Sequence, residues 1–387
     1  MSFARRAALA LAGLLASAGA AAQSPACEGA GTEIALRIDN DFFAHQDEGY
    51  SSGVQLQAAT PELPPAGDAA CLGPLARWLD THLHAWLGPE GSERGNLVYG
   101  VQQMIYTPHD GERSVPDPDD RPYAGVLTFG AGFNSRDGDV LRTNELVLGV
   151  VGPASGARHV QGFFHDVFGS QDFKGWSHQL ENEPLFMLRH QRAYRGLDGR
   201  LDFAGTPLAW DAIGAWSAAL GNLKTAAHAG VELRLGRTLP NDFGSNPVRS
   251  GPEGRPPGDA WRGEAPGFSW HGFLSLEGRW VLYDIALDGN TFRDGPDVER
   301  RPWVGDAAVG AAMRWGRWRL ALARNFRTRE FDGQRSPPQF GSLTIARSFR
   351  SERASDPGPL RGGPEGAQSP PEAGAGLRRR GLLAAGP

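Results

Sequence analysis

The chain is short of several things at once, and each shortage excludes something. Cysteine occurs twice in 387 residues, at Cys27 and Cys71, which leaves room for one disulfide and no more. An excess of one charge is missing too. With 39 Lys and Arg against 44 Asp and Glu, the formal net charge is −5, so there is no electrostatic case for a nucleic-acid partner. Past residue 22 no stretch approaches the ~18–20 apolar residues that a membrane helix needs, and this excludes a bundle of transmembrane helices. It does not exclude a β-barrel, whose strands alternate and average to an ordinary composition, here a mean hydropathy of −0.38. H-E-x-x-H, the P-loop and C-x-x-C do not occur, and no nucleophile elbow of the common serine hydrolases is expected. Lysine is nearly absent, at Lys174 and Lys224 only, and the arginine bias reads as base composition rather than function.

What is present is glycine, 53 residues, and tryptophan, 11, in a helix-poor chain, which suits an all-β fold with aromatic girdles. At the start, Arg5 and Arg6 precede the apolar run Ala7 to Leu15, and Ala20-Ala21-Ala22 offers a cleavage site before Gln23. Residues 1–22 therefore read as a secretory signal peptide. The residue after the cut is not cysteine, so no lipoprotein is expected. Export suits a bridge between Cys27 and Cys71, with two free thiols as the alternative.

Twelve segments carry strand-like patterning, near 33–43, 50–60, 95–106, 121–133, 140–151, 183–193, 207–219, 224–236, 268–286, 302–315, 317–329 and 338–349. In the first, Ile34, Leu36 and Ile38 share one face and Arg37, Asp39 and Asp41 the other. In the tenth, Trp303, Ala307, Val309, Ala311, Met313 and Trp315 oppose Asp306, Ala308, Gly310, Ala312 and Arg314, with Gly316-Arg317 as a two-residue turn. Trp303 and Trp315 lie 12 residues apart, roughly 30 Å along a tilted strand, the spacing of two membrane interfaces. A soluble sandwich with tryptophan in its core is the rival, but the small polar opposite face favours a closed, even-stranded antiparallel barrel. Residues 61–94 break the rhythm with a helical period at Leu75, Trp78, Leu79, Leu83 and Trp86, and 157–171 predicts a short helix in a loop. The barrel domain is expected over 23–349, and 350–387 as an aperiodic, disordered tail.

With the N-terminus in the periplasm, the connections 43–50, 107–120 and 152–182 fall at the extracellular rim. They bring together Asn40-Asp41, Ser51, Asp119-Asp120, Gln161 and His165, the last two at i and i+4. Singly, each has a plain reading as a turn former or an inert loop residue. Together, Asp, Asn and hydroxyl oxygens suit Ca²⁺, and a neutral histidine beside them can deprotonate water. Arg113 or Arg158 would meet lipid phosphates.

On these residues the sequence resembles a known family, the LpxR-type outer-membrane lipid A deacylases. The carriers, in order, are Ile38-Asp39-Asn40-Asp41, Gly49-Tyr50-Ser51-Ser52-Gly53, the run from Gln102 to Pro108, the run from Asp119 to Gly125, Val151-Gly152-Pro153, Gln161 with His165, Trp176 with Gln179, Glu181-Asn182 and Gly221-Asn222-Leu223. The resemblance implies a 12-stranded antiparallel transmembrane β-barrel in the outer membrane, acting as a monomer on lipopolysaccharide and removing the 3′-acyloxyacyl group of lipid A with Ca²⁺. It implies His165 as the base, Asn40 and Asp41 as the residues that hold or orient Ca²⁺, Ser51 as the hydroxyl position and Gln161 in the same groove. Phe42 departs from members that have a second Asp there, and the tail beyond Phe349 is unusual for a barrel. Two other readings stay open: a non-catalytic barrel, either a porin or a surface-binding protein, and a barrel phospholipase with a nucleophilic Ser51 or Ser52.

Overall fold

The structure is a computed structural model that describes residues 31–40, 49–61, 72–88, 94–168, 173–245 and 267–350. Cys27, Cys71, the signal-peptide segment and the tail lie outside the described residues. Twelve strands pair only antiparallel: β1 (Gly31–Asn40), β2 (Gly49–Ala59), β3 (Arg94–Thr107), β4 (Ala124–Asp137), β5 (Val140–Val151), β6 (Glu183–Phe203), β7 (Thr206–Gly221), β8 (Lys224–Gly236), β9 (Phe268–Asp284), β10 (Trp303–Trp315), β11 (Trp318–Arg327) and β12 (Gln339–Arg350). Each pairs with its sequence neighbours, and β12 closes on β1, so the sheet is a barrel without an edge. Among the described residues no helix is long and apolar enough to cross a membrane.

Period-two alternation decides which side chains face out. On β10, Val304, Asp306, Ala308 and Ala312 are buried, while Trp303, Val309, Met313 and Trp315 are exposed. The outward face is apolar almost everywhere: Leu148, Phe186, Leu188, Leu274, Leu276 and Leu282 stand exposed on it. Trp280 and Trp303 stack at one end, ring centroids 6.1 Å apart, and Trp315 and Trp318 flank the turn at the other. The short turns at 138–139, 204–205 and 316–317 share an end with both barrel termini, here the terminal end. The opposite, loop end carries 108–123, 152–182, 285–302 and 328–338.

The lumen takes the charges that the outside rejects. Asp306 accepts from Arg279 Nε at 2.6 Å and from Arg327 Nε at 2.7 Å, Glu330 accepts from Arg327 at 3.2 Å, and the buried Arg121 reaches Glu330 at 3.5 Å. Towards the terminal end Arg234 grips Asp211 through two nitrogens, at 2.7 and 2.8 Å. Such charges persist in a dry interior only when paired and hydrogen-bonded. Two lumen cavities beside them, one lined by Tyr106, Glu145 and Arg189 and one by Asp39, His228 and Arg279, hold about 100 Å³ each.

Among the described residues three α-helices lie off the strands: α1 (Pro74–Leu87), α2 (Ala157–Phe168) and the single turn α3 (Ile285–Asp288). One sequence expectation needs correction and one gains detail. β6 runs to Phe203 rather than ending near 193, because it pairs with β7 to the end of a hairpin turned by Ala204 and Gly205 at φ 49° and 76°. α1 is where its period predicts, but Trp78 and Trp86 do not join its buried leucines. Leu72, Ala76 and Leu79 pack on Ala58, Leu97, Tyr99, Ala131 and Phe133, with Leu75, Leu83 and Leu87 alongside. Trp78 and Trp86 point away from that contact and are exposed.

Candidate active site

Asn40 is the last residue of β1 and continues the outward face of Ile34, Leu36 and Ile38. Its neighbour Asp39 turns into the lumen and accepts from Ser342 Oγ at 2.7 Å. Register extends this position into an outward row across four strands, in which Asn40 pairs with Ser52, Ser52 with Ile105 and Ile105 with Gly125. At ~4.8 Å per strand, Asn40 and Ile105 lie roughly 10 Å apart along that row. Tyr50 pairs with Tyr106 but Ser52 with Ile105, which makes Ser51 the extra residue of a β-bulge. Bulges re-aim side chains and recur beside active sites.

α2 lies on this row. A Cβ at Gly125 would stand 2.3 Å from Ala157 Cβ and 2.4 Å from Ser155 Oγ, so only glycine lets the helix start come down on β4. Gly152, at φ 97°, turns the chain out of β5 and donates its N–H to Gly125 O at 2.9 Å. Asn182 Oδ1 accepts from Ala154 N at 2.7 Å and pins the 3₁₀ turn Pro153–Ser155 that leads into the helix. Beneath α2, Ile105, Tyr123, Ala157 and Trp176 form a buried cluster, with Val160 and Phe173 against it.

Gln161 points into this packing and is 3 % exposed. Its Oε1 accepts from Trp176 Nε1 at 2.8 Å, and its buried Nε2 has no hydrogen-bond partner among the described residues. His165 follows four residues on, on the same side of α2. The structure thus places Asn40 and Gln161 with their side chains on the outer wall of the barrel, and His165 and Ser51 by backbone. Asp41 lies outside the described residues, as do the side chains of His165 and Ser51.

The segment from Asp119 to Tyr123 straddles the rim. Arg121 goes inward, over the Tyr106 ring at 4.9 Å and on to Glu330. Tyr123 goes outward beneath Trp176, ring centroids 5.1 Å apart. Burial pushes the Tyr123 hydroxyl up to about 12, so it is a neutral phenol at any working pH. Burial alone would raise Glu330 as well, but Arg327, Arg121 and Arg279 outweigh it and hold the carboxyl down at about 2. Asp120 is a loop staple, accepting from His109 N at 2.7 Å and Arg121 N at 2.8 Å. Arg113 makes an exposed ion pair with Asp117 at 3.1 Å, and Arg158 is exposed on α2.

Three features of this site escape a reading by sequence alone: Ser52 as the serine in register with Asn40, the Gln161–Trp176 bond, and Gly125 as the helix seat. A glycine inside a strand pattern is the one signal that pointed to the last. One motif also changes meaning. Gly49-Tyr50-Ser51-Ser52-Gly53 spells G-x-S-x-G, yet it lies within a strand rather than at the strand-to-helix turn that exposes a nucleophile elbow. Among the described residues no group of three or more His, Cys, Asp or Glu side chains is placed to hold a metal. The donors on the row are oxygens, the Asn40 amide and the buried Ser52 hydroxyl, and this is the hard-ligand chemistry that fits Ca²⁺.

The family model described as "Outer membrane protein LpxR" matches residues 8–349. The chain belongs to the LpxR family of outer-membrane proteins. Among solved structures, LpxR from Salmonella typhimurium matches with a TM-score of 0.61 and 19 % identity, over 82 % of this chain and 100 % of that one, and shares its barrel fold. The beta domain of the Bordetella autotransporter Brka matches with a TM-score of 0.40 and 10 % identity, over 83 % of this chain and 100 % of that one. No curated protein sequence matches the chain. This LpxR-family chain is an outer-membrane β-barrel. Such barrels keep short turns in the periplasm and long loops outside, so the loop end, with α2 and Asn40, is extracellular.

Proposed function

We propose that the chain is a Ca²⁺-dependent carboxylic ester hydrolase that removes an acyl chain from lipid A in the outer leaflet. The observation that carries this reading is the seat of α2. A helix with Gln161 and His165 one turn apart lies against the outside of the barrel wall, over the outward row that contains Asn40 and Ser52. A site on the outside of the wall at the extracellular rim meets a lipid ester where it lies, without drawing the lipid out of the leaflet.

The roles follow from the chemistry of the groups. His165 takes a proton from water, since an imidazole titrates near neutrality and serves as a general base. Asn40 and Asp41 hold Ca²⁺, with the Ser51 hydroxyl in support. When bound, Ca²⁺ supplies the electrostatic pull that polarises the ester carbonyl and steadies the charge developing on its oxygen. Gln161 spends its carbonyl on Trp176 and keeps a buried N–H pair to orient a substrate oxygen. The closed barrel has no free edge to pair, which supports action as a monomer.

A porin reading finds no support in a lumen crossed by the Arg279–Asp306–Arg327–Glu330 network and bordered by cavities of about 100 Å³. The deciding experiment is mass spectrometry of lipid A from cells with and without the gene, alongside the His165→Ala variant. Heat-modifiability on gels serves as the folding control. Loss of an acyl chain that needs the wild-type protein and Ca²⁺ is expected. Unaltered lipid A in the presence of folded wild type and Ca²⁺ overturns the reading.

A further inference from the structure

We propose that α1 lies in the periplasmic-leaflet interface of the outer membrane, gripping the barrel wall with one face and phospholipid with the other, and that it completes the periplasmic aromatic girdle where the strands lack one. The first observation is the surface it covers. Ala58, Leu97, Tyr99, Ala131 and Phe133 belong to the outward parity of β2, β3 and β4, the same parity as the exposed Leu148 of β5. α1 is therefore on the outside of the barrel, on a wall whose continuation faces lipid. The second is its other face. Trp78, His82 and Trp86 recur at i, i+4 and i+8, on the side away from the wall. Trp78 is 56 % and Trp86 85 % exposed. Trp78 stacks on His82 with ring centroids 4.6 Å apart, and His82 Nδ1 is bonded to Trp78 O at 2.7 Å, so this face is ordered by its own contacts.

The third observation is continuity with the girdle. Strands β1 to β6 contain no tryptophan, whereas β7, β9, β10 and β11 carry Trp210, Trp270, Trp315 and Trp318 towards their terminal ends. The two tryptophans of α1 stand over the part of the wall that has none. The end of α1 is also tied to the strands by a chain of contacts. Asn144 Nδ2 donates to Leu87 O at 3.1 Å, Asn144 Oδ1 meets His190 Nδ1 at 2.7 Å, and the His190 ring lies 5.4 Å from Trp216. Tryptophan concentrates where one side of the ring is apolar and the other wet, and an amphipathic helix with such a face beds about 5–10 Å into the headgroup boundary.

The test uses the full chain with both native cysteines replaced by serine. One cysteine is introduced as Trp86→Cys or His82→Cys on α1, or as Gly316→Cys in a periplasmic turn. Each variant carries an environment-sensitive fluorophore and is reconstituted in phosphatidylethanolamine–phosphatidylglycerol vesicles, with heat-modifiability to confirm folding. At 82 and 86, phospholipids with a nitroxide near the headgroup should quench more than phospholipids with a nitroxide at the chain end. Aqueous iodide should quench these positions about threefold less than position 316. Iodide quenching equal to that at 316, without nitroxide quenching, would put α1 in the aqueous periplasm and overturn the proposal. Shielding from both quenchers would put a second copy of the chain on that face and overturn it as well. The two α1 positions are read separately, so failure of one variant to fold leaves the other to decide.

Discussion

Two helices lean on the outside of the same wall, and they are held differently. At the extracellular rim α2 is seated by close approach: Gly125 gives up its side chain, Ser155 and Asn182 fasten the turn before it, and a polar residue, Gln161, is buried in the contact. At the periplasmic rim α1 is seated by apolar burial, with Leu72, Ala76 and Leu79 on Tyr99 and Phe133, and its polar bonds run along its own length or to Asn144 on β5. Hydrophobic contact tolerates small shifts, because it is non-directional. A glycine seat with a buried amide does not, because misplacement leaves a polar atom unpaired or a clash unrelieved. The first kind of contact suits a membrane anchor and the second suits a catalytic group.

The largest expected effect tests that contrast directly. His165→Ala should lower lipid A deacylation by roughly 10²-fold or more while the barrel stays heat-modifiable. Full activity in the folded variant would remove α2 from the chemistry and make the two helices alike. Next in size is the metal. Chelation should silence the wild type without unfolding it, since the strands close the sheet by themselves. Asn40→Ala and Asp41→Ala should recover part of their activity at high Ca²⁺, as mass-spectrometric deacylation assays across a Ca²⁺ series would record. Gly125→Val should come third, lifting α2 off β4 and costing activity in a barrel that still folds. Trp fluorescence and activity together would read it, and wild-type turnover would show that the seat is not needed.

A smaller effect separates support from chemistry at Gln161. Gln161→Leu leaves the Trp176 N–H buried without an acceptor, a cost in stability of about 1–3 kcal/mol. Adding Trp176→Phe removes both partners and should restore the packing. If activity returns with it, Gln161 only holds the helix; if activity stays low while stability recovers, the free amide acts on substrate. The smallest effect lies behind α2, where Arg121 ties the 108–123 loop to Glu330. Glu330 is held at about 2 in the fold against an ordinary 4.5, so its contribution to stability is complete above about 4.5 and is lost as pH falls towards 2. Heat-modification midpoints measured down that range should decline in the wild type and flatten in Glu330→Gln. A parallel decline in both would place the acid sensitivity elsewhere.

Much of this is readable in the sequence. Alternation located all twelve strands, and the split between Trp303, Val309, Met313, Trp315 and Asp306, Ala308, Ala312 assigned outside and inside correctly, because period two is a local property of an extended chain. The period of α1 is equally plain, but a period does not say which of its apolar residues meet the wall. Leucine and tryptophan both count as apolar, and only the contacts with the wall separate them. The site was legible only in part. Asn40 and Gln161 are more than a hundred residues apart, and no local pattern relates a strand end to a loop helix.

The sequence by itself determined the number, phase and sidedness of the strands, hence a closed barrel with an apolar outside and a charged lumen, since these follow from alternation and from the cost of an unpaired edge. Only the tertiary structure decided that both helices lie outside the wall, that the β1–β2 register puts Ser52 rather than Ser51 beside Asn40, and that Gly125 is the seat of α2. Those outcomes depend on register across strands and on contact between segments far apart in the chain, where one residue of slip reverses every side chain.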